Sequence, residues 1–371
     1  MNKKPFTVCY IVCLCLFFCV TGICVMFGIQ RTTANSDESM LPVNSTVPLL
    51  CSDAELSAPD VSARAAVLID AASGAVLFEK NSSERLPMAS TTKIMTAYVI
   101  LNSLPLDRVV TVPKEATRIE GSSIYLQENE EITVETLLYG LLLESGNDAA
   151  HTLAVACAGN IPAFAEKMNQ AGARMGLQNT CFQNPHGLTA EGHYTTAYEL
   201  ARITAAALQN PTFKTIVSTQ KKLAPSMDGK LTRLFLNHNK LLRYYDGAIG
   251  VKTGYTKAAG RCLVSAAERN GQTFIVVTLD DGNDWNDHTR LLDYAFENFD
   301  TLEIAAPRQF GVYYDGIRLS NPNGVYLTVP KGNRPIFSYL CDVRAQAGTV
   351  SYYADGNESG RFHLLPDSAI S

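Results

Sequence analysis

The length, composition and charge of the chain limit what it can be. Its 371 residues are enough for two domains, and 46% hydrophobic with 18% charged residues is typical of a globular protein. The formal net charge of -5, with no cluster of lysine and arginine beyond the first positions, argues against a nucleic-acid partner.

The amino-terminal segment combines two lysines with a long apolar run. Lys3 and Lys4 precede residues 5–29, and no further charge occurs before Arg31. This pattern is typical of a cleaved signal peptide or of a single membrane anchor, and the run is long enough to span a bilayer. We expect residues 1–29 to be retained as an anchor with the rest of the chain outside the membrane, and cleavage is the alternative. Residues 30–60 lack periodicity and predict a flexible linker.

The cysteines do not read as a disulfide framework. Of the ten, five lie inside the apolar segment. The other five are widely spaced and mostly have apolar neighbours, which favours small buried side chains over bridges. They are Cys51, Cys157, Cys181, Cys262 and Cys341. We therefore expect no obligatory disulfide.

The predicted elements alternate between strands and helices after the linker. In chain order the pattern predicts strands at 65–70 and 75–78, helices at 90–102, 132–143 and 148–157, strands at 249–254, 261–268 and 273–279, and a helix at 287–299. The dipeptide Asn270-Gly271 predicts a tight hairpin turn between the last two strands. Residues 61–300 are thus expected to form a mixed α/β (α+β) domain, and residues 301–371 a small β-rich domain.

Three short strings carry the chemical information. They are Ser-Thr-Thr-Lys at 90–93, Ser-Gly-Asn at 145–147 and Lys-Thr-Gly at 252–254. A set of this kind in this order indicates a serine acyl-transfer site that needs neither metal nor cofactor. Each string alone is weak evidence, because another Ser-x-x-K occurs at 218–221.

The first string predicts an activated serine. Residues three apart on a helix share one face, so the Lys93 amine can reach the Ser90 hydroxyl. A lysine acts as a base only if its pKa, ordinarily about 10.4, is lowered. Burial would lower it, and a second cation such as Lys252 would lower it further. Taken alone, Ser90 and Lys93 would read as a helix cap and a solvated lysine.

The other two strings supply proton transfer and substrate binding. Ser145 can pass a proton to the leaving amine, and Asn147 can orient Lys93 or a substrate amide. Lys252 and Thr253 can bind a substrate carboxylate at a strand end. Gly254 leaves room for the substrate backbone. The backbone N–H groups of Ser90 and Tyr255 are the expected oxyanion donors. In isolation these strings would be an ordinary turn and an exposed strand edge.

With these residues in place, the chain resembles the low-molecular-mass penicillin-binding proteins of the D-alanyl-D-alanine carboxypeptidase type, peptidase family S11. The resemblance covers roughly residues 60–365 and extends to the segments 142–150, 184–188, 193–197 and 250–256. It implies a penicillin-binding protein/β-lactamase-like transpeptidase domain, with an antiparallel sheet flanked by helices, followed by an all-β domain. It also implies acylation of Ser90, Lys93 as base, peptidoglycan pentapeptide stems as substrates and β-lactam antibiotics as covalent inhibitors.

Two features depart from the pattern of the family. Many members end in an amphipathic helix, whereas residues 362–371 have no such character. Some members carry an arginine after the Lys-Thr-Gly string that helps to hold the substrate carboxylate, and residues 281–288 contain none. Arg290 is a poorly aligned substitute, so the residue that replaces this arginine stays open.

Rival functions are distinguished by particular features. A serine β-lactamase shares the acylation groups and adds a carboxylate that holds water, for which Glu144 is a weak candidate. A non-catalytic wall-binding protein would not need the three strings intact. A metallopeptidase is disfavoured because the six histidines have no ligand spacing of the H-E-x-x-H kind.

Overall fold

The computed structural model describes residues 57–344 and 347–369 together with the strand Met26–Gly28. The rest of the proposed anchor, most of the linker and Cys51 lie outside the described residues. Within the part that is described, no helix combines the length and apolarity needed to cross a bilayer.

Strands and helices alternate through the first three hundred residues, and strands dominate after them. The strands are β1 (Met26–Gly28), β2 (Ala65–Asp70), β3 (Val76–Lys80), β4 (Val109–Thr111), β5 (Glu131–Thr133), β6 (Lys221–Pro225), β7 (Thr232–Leu236), β8 (Ala248–Thr256), β9 (Gly260–Arg269), β10 (Gln272–Leu279), β11 (Phe299–Ala305), β12 (Gly311–Tyr314), β13 (Ile317–Ser320), β14 (Val325–Pro330), β15 (Phe337–Arg344), β16 (Ala347–Ala354) and β17 (Asn357–Pro366). The helices are α1 (Lys93–Leu101), α2 (Val134–Leu142), α3 (Asn147–Ala158), α4 (Ile161–Arg174), α5 (Ala197–Leu208), α6 (Pro211–Ser218), α7 (Leu241–Tyr244) and α8 (Asp284–Asn298). Short 3-10 helices cover Ala89–Thr92, Ala116–Arg118 and Asp367–Ala369.

A five-stranded antiparallel sheet organises the larger part of the molecule. Its order is β3-β2-β10-β9-β8, so β8 is the edge strand. Because side chains alternate along a strand, Val67 and Ile69 enter a core shared with α1 and α5. Ala66 and Leu68 enter the opposite core, which α8 covers with Leu291. Helices on both faces therefore bury the sheet and leave the edge at β8.

The boundaries of two predicted helices differ from expectation. Ile132 and Thr133 belong to β5, where Ile132 pairs with Val110 of β4, and α2 begins only at Val134. The Thr133 hydroxyl accepts a hydrogen bond from Thr136 N at 3.2 Å and caps α2. The last predicted helix begins three residues earlier than expected, at Asp284. A short apolar run beside the helix explains the first difference, since periodicity alone does not separate a terminal strand from a helical turn. The second difference arises because residues 284–286 are mostly polar and extend the helix without adding to its apolar pattern.

The carboxyl-terminal region consists of strands. β1, β15, β16, β17, β13 and β12 form one sheet in that order, and β11 pairs with β14. Their inward side chains form a separate apolar core that includes Leu319, Leu327, Val350 and Leu364. The predicted fold class, an antiparallel sheet flanked by helices with an all-β region after it, is thus confirmed.

A buried carboxylate connects this region to the five-stranded sheet. Asp70, at the end of β2, accepts hydrogen bonds from Ala72 N at 2.7 Å and from the hydroxyls of Thr301 and Thr328, the latter at 2.9 Å. Thr301 and Thr328 are paired across β11 and β14. Burial raises the pKa of Asp70, although its hydrogen bonds oppose the shift. One side chain therefore ties the two groups of strands together.

Candidate active site

The segment that carries Ser90 is a single turn of 3-10 helix leading into α1. The Thr91 hydroxyl donates to Met88 O at 2.5 Å, and the Thr92 hydroxyl donates to Ala89 O at 2.8 Å. Both bonds fix the backbone that precedes α1. Ala89 has a φ of 47°, a left-handed conformation that costs a non-glycine residue about 1 kcal/mol. The turn is held in place by its surroundings and presents Ser90 to the cleft.

Lys93, the first residue of α1, is fully buried and has three oxygen neighbours. Its Nζ lies 2.8 Å from Ser90 Oγ, 2.8 Å from Asn147 Oδ1 and 2.7 Å from the carbonyl oxygen of His186. An ammonium would donate to all three. A neutral amine has two hydrogens, which the two oxygens that can only accept would take. Its lone pair is then left for the Ser90 hydroxyl, which is the arrangement that a general base requires.

The surroundings of Lys93 favour this neutral form. Burial is the largest cause that lowers its pKa well below the ordinary value, and the charge of Lys252 is the next. Asp148 acts in the opposite direction. Lys93 is 0% exposed and near a second cation, and both features favour the uncharged amine that a base requires.

Ser145 and Asn147 lie on the tight connection between α2 and α3. Ser145 has a φ of 64° and is 5% exposed. Asn147 begins α3, and its Nδ2 donates to Glu120 O at 2.7 Å, which leaves Oδ1 for Lys93. The amide of Asn147 is therefore oriented from both ends.

Asp148 lies beside the start of α3 but does not cap this helix. The residue that caps α3 is Gly146, and Asp148 lies in the first turn. Its carboxylate accepts hydrogen bonds from Ser123 Oγ at 2.7 Å and from Ile124 N and Leu126 N at 3.1 Å. Asp148 thus holds the loop on one side of the cleft.

The third string lies on β8, at the edge of the sheet beside the Ser90 turn. Lys252 is 1% exposed, and its Nζ donates to Thr253 O at 2.9 Å. Burial lowers the pKa of Lys252 to about 7. A Cβ on Gly254 would lie 3.0 Å from Ser90 N and 3.2 Å from Thr91 N. Because glycine has no Cβ, β8 passes close to the backbone of Ser90 without crowding it.

An open cleft of about 530 Å³ brings several of the predicted residues together. Ser90, Ser145, Thr253, Gly254 and Tyr255 line it, whereas Lys93, Asn147 and Lys252 lie behind its surface. The remaining lining residues are Ser122, His238, Arg261, Cys262, Asp284 and Trp285. Burial raises the pKa of the Cys262 thiol to about 12, so this neighbour of the cleft is a poor nucleophile.

Sequence reasoning gave no role to the segment around His186. Besides its carbonyl contact with Lys93, this segment contains Gly187, where a Cβ would lie 1.8 Å from Ala89 O. His193 Nε2 lies 2.9 Å from Thr92 Oγ1, and its Nδ1 accepts from Gln183 N at 3.0 Å. Since Thr92 already donates to Ala89 O, the Nε2–H group is the donor to Thr92. The segment therefore packs under the Ser90 turn.

Two competing features take no part in the contact between Ser90 and Lys93. Ser218 ends α6, and its hydroxyl donates to Thr215 O at 3.1 Å. Glu144 accepts from Leu236 N at 2.5 Å and pairs with His238 at 3.3 Å, so its carboxylate is engaged with β7 and the residues after it. Neither one reproduces the contact between Ser90 and Lys93.

Known proteins resemble this chain in sequence and in structure. The family model described as D-alanyl-D-alanine carboxypeptidase matches residues 52–283. D-alanyl-D-alanine carboxypeptidase DacF of Bacillus subtilis is 37% identical over 64% of this chain and 63% of its own length. DacA of Escherichia coli is 31% identical over 84% of this chain and 78% of the relative. The aligned part of the chain thus spans somewhat less than two thirds of the Bacillus relative.

Solved structures agree with these sequence matches. Penicillin-binding protein 5 from Haemophilus influenzae superposes with a TM-score of 0.72 at 28% identity, over 84% of this chain and 98% of that one. The Streptomyces K15 DD-transpeptidase superposes with a TM-score of 0.62 at 36% identity, over 65% of this chain and 99% of that one. The chain therefore belongs to the peptidase S11 family of D-alanyl-D-alanine carboxypeptidases.

Proposed function

We propose that this protein is a serine-type D-Ala-D-Ala carboxypeptidase that removes the terminal D-alanine from peptidoglycan stem peptides. The single observation that carries the proposal is the buried Lys93 amine at 2.8 Å from Ser90 Oγ, in surroundings that lower the pKa of the amine. A buried neutral amine beside a hydroxyl is suited to acyl transfer at a serine.

Acylation uses these groups in sequence. Lys93 takes the proton of Ser90 while Oγ attacks the carbonyl carbon of the penultimate D-alanine. The backbone N–H groups of Ser90 and Tyr255 stabilise the oxyanion. Ser145 then relays the proton from Lys93 to the nitrogen of the terminal D-alanine, the C–N bond breaks, D-alanine leaves, and Lys93 is neutral again. An ester between Ser90 and the remaining peptide is the product of this half of the reaction.

Deacylation returns the enzyme to its starting state. A water molecule gives a proton to Lys93 and attacks the ester carbon, and the Ser90 oxygen recovers a proton as it leaves. Asn147 keeps the Lys93 amine in position throughout, through its contact at 2.8 Å. A β-lactam contains a carbonyl that Ser90 can attack in the same way. It should therefore acylate Ser90, and the resulting ester should be hydrolysed slowly.

The unpaired edge of β8 supports binding of an extended peptide. Among the described residues no strand pairs with β8 on the side away from β9. A peptide can add to such an edge through backbone hydrogen bonds. Lys252 and Thr253 would then bind its terminal carboxylate, and Gly254 would leave space for its backbone. We also propose that residues 1–29 attach the enzyme to the outer face of the bacterial cell membrane.

Mass spectrometry of the intact protein tests the reaction and its site together. We expect benzylpenicillin to add its full mass to the wild-type chain and diacetyl-L-Lys-D-Ala-D-Ala to release D-alanine. The Ser90→Ala variant should lose both reactions while remaining folded, and the matched Ser218→Ala variant should keep both. Lys93→Ala should slow acylation by about 100-fold or more.

Three results would contradict the proposal. Wild-type protein that is folded and forms no adduct would favour a non-catalytic wall-binding role. An adduct that turns over within seconds would favour a β-lactamase instead. Loss of the adduct in Ser218→Ala, with Ser90→Ala still active, would mean that the wrong string carries the nucleophile.

A further inference from the structure

Arg261 lies next to β8, the strand to which we expect the peptide to bind, and it belongs to none of the three sequence strings. It lies on β9 opposite Tyr255 of β8, while Thr253 pairs with Leu263. Thr253 and Arg261 are therefore diagonal neighbours on one face of the sheet, a separation of about 7–8 Å that a long side chain can bridge. Both side chains line the cleft that contains Ser90.

One edge of the Arg261 guanidinium is fixed by Asp284. Nε lies 3.0 Å from Oδ2 and Nη2 lies 2.7 Å from Oδ1 of this carboxylate, which is itself bound to Trp285 N at 2.8 Å in the first turn of α8. The Arg261 side chain is 46% exposed, whereas that of Asp284 is 6% exposed. Within residues 57–344 and 347–369, Nη1 has no hydrogen-bond acceptor. The pair thus holds the guanidinium by one edge and leaves another donor free at the wall of the cleft.

The charge of Arg261 differs in kind from that of Lys252. A guanidinium stays protonated at any pH at which the protein is folded, and its planar donors match a carboxylate. Lys252 is buried and its pKa is about 7, so its positive charge is only partial near neutral pH. Of the cations on the two strands, Arg261 is the one that lines the cleft and stays protonated above pH 7, with Asp284 as its partner.

Arg290, the substitute suggested by the sequence, is engaged elsewhere. It pairs with Asp287, which is buried and accepts from Ser62 N at 2.6 Å and Ser62 Oγ at 2.9 Å. Arg290 is absent from the lining of the cleft. Residues 281–288 contain no arginine that could hold the substrate carboxylate. Arg261 on β9, next to β8, is therefore the better candidate for this role.

We propose that Arg261, held by Asp284, binds the terminal carboxylate of the peptide and the carboxylate of β-lactams. This proposal rests on the proposed acylation of Ser90 and adds to it a residue that sets the preference for substrates with a free carboxylate. Asp284 acts as a positioning residue, because it touches Arg261 and orients the guanidinium without contacting the substrate.

The ratio of two acylation rates isolates this role. Benzylpenicillin carries the carboxylate, and benzylpenicillin methyl ester is the same molecule without the charge. We expect the wild-type chain to prefer the acid. In Arg261→Gln the rate with the acid should fall about 10- to 100-fold, and the rate with the ester should stay within about twofold, because a charged hydrogen bond is lost only with the acid. Arg261→Lys should lie between the two, since it keeps the charge and loses the planar donors.

Arg64 provides a matched control. It contacts Glu84 through the same two nitrogens, Nε at 3.1 Å and Nη2 at 2.5 Å, with a side chain that is 55% exposed. Arg64 does not line the cleft. Arg64→Gln should therefore keep the wild-type ratio of acid to ester.

The failure of this proposal can be told from failure of the proposed function. If wild-type protein acylates and Arg261→Gln keeps the wild-type ratio, the carboxylate is bound elsewhere. An equal fall with acid and ester would mean that Arg261 only supports the structure of the cleft, which also overturns the proposal. Absence of any adduct on wild-type Ser90 would overturn the underlying acyl-transfer assignment as well.

Discussion

Lys252 lowers the pKa of Lys93, although the two side chains come from different elements and their Nζ atoms bond to different oxygens. The effect adds to burial, which is the larger cause. One lysine therefore adjusts the basicity of the other while it lies near the place of the substrate carboxylate. The two functions of Lys252 can be separated by choosing a substrate with or without that carboxylate.

Replacing Lys252 with Met should raise the pKa of Lys93, because the repulsion between two cations disappears. With the methyl ester of benzylpenicillin, the rising part of the profile of acylation rate against pH should move to higher pH. On that part, each unit of displacement lowers the rate about tenfold. An acylation rate that falls equally at every pH, with no displacement of the profile, would mean that Lys252 does not affect the pKa of Lys93.

The carboxylate preference should itself depend on pH. Lys252 is protonated below its pKa of about 7 and neutral above it, so its attraction for an anion is present below pH 7 and is lost above. We expect kcat/KM for the acid to fall by about tenfold relative to the ester between pH 6 and pH 8.5. Lys252→Arg should remove this fall, since arginine keeps its charge. A ratio that is independent of pH in the wild type would contradict the lowered pKa.

Gly187 should be among the positions least tolerant of a side chain. A Cβ there would lie 1.8 Å from Ala89 O, which is a backbone atom and not a flexible side chain. The φ of Gly187, 87°, is also unfavourable for alanine. Gly187→Ala should therefore lower the free energy of unfolding by at least about 3 kcal/mol and slow acylation of Ser90. The control is Gly229→Ala, which has a φ of 70° but no neighbour within 4 Å.

Gly229→Ala should lower the free energy of unfolding by only about 1 kcal/mol, because it places alanine in a left-handed backbone conformation without a steric clash. Urea unfolding of both variants measures the difference. Equal losses would show that the close approach of the two backbones does not matter for stability.

Buried histidines should make the protein sensitive to mild acid. Burial lowers the pKa to about 3 for His186, about 4 for His193 and about 3 for His288. Each is below the value of 6.5 for an exposed histidine, so the unfolded chain binds more protons when the pH falls below 6.5. Their stabilising effect is complete above pH 6.5 and is lost progressively towards pH 4. The free energy of unfolding should decrease by about 1.4 kcal/mol per pH unit for each histidine.

His288 allows this prediction to be tested away from the cleft. Its Nε2 lies 2.9 Å from Thr278 Oγ1, a contact that glutamine can retain. His288→Gln should reduce the slope of unfolding free energy against pH between 6 and 4.5 by the contribution of one histidine. An unchanged slope would mean that His288 accepts a proton in the folded protein.

Asp70 should be replaceable by asparagine but not by alanine. Oδ1 accepts from backbone N–H groups, and Oδ2 faces the hydroxyls of Thr301 and Thr328, which can rotate to accept from an amide. Because burial raises the pKa of Asp70, asparagine avoids the cost of a buried charge and should leave stability at pH 7 unchanged or slightly higher. Alanine leaves several buried donors unpaired and should cost about 2–3 kcal/mol. Thermal unfolding compares the two variants, and equal losses would contradict this view of Asp70.

Local spacing explains what the sequence could predict. Ser90 and Lys93 are one turn apart, so their contact follows from helix geometry, and short apolar runs next to turn residues identified β2, β9 and β10. The contact of Lys93 with the His186 carbonyl could not be found this way. Every residue has a backbone carbonyl oxygen, so the sequence does not indicate which one contacts Lys93. The pairing of Arg261 with Asp284 joins β9 to α8 and depends on how the chain packs, which no local pattern encodes.

The edge position of β8 has a consequence for the protein in solution. A strand left open for a visiting peptide is equally open to the edge of another copy, and such edges nucleate aggregation. The open edge that can receive a peptide is thus also the place where copies of the protein would associate, so loss of solubility is the risk of any substitution that makes this edge more apolar.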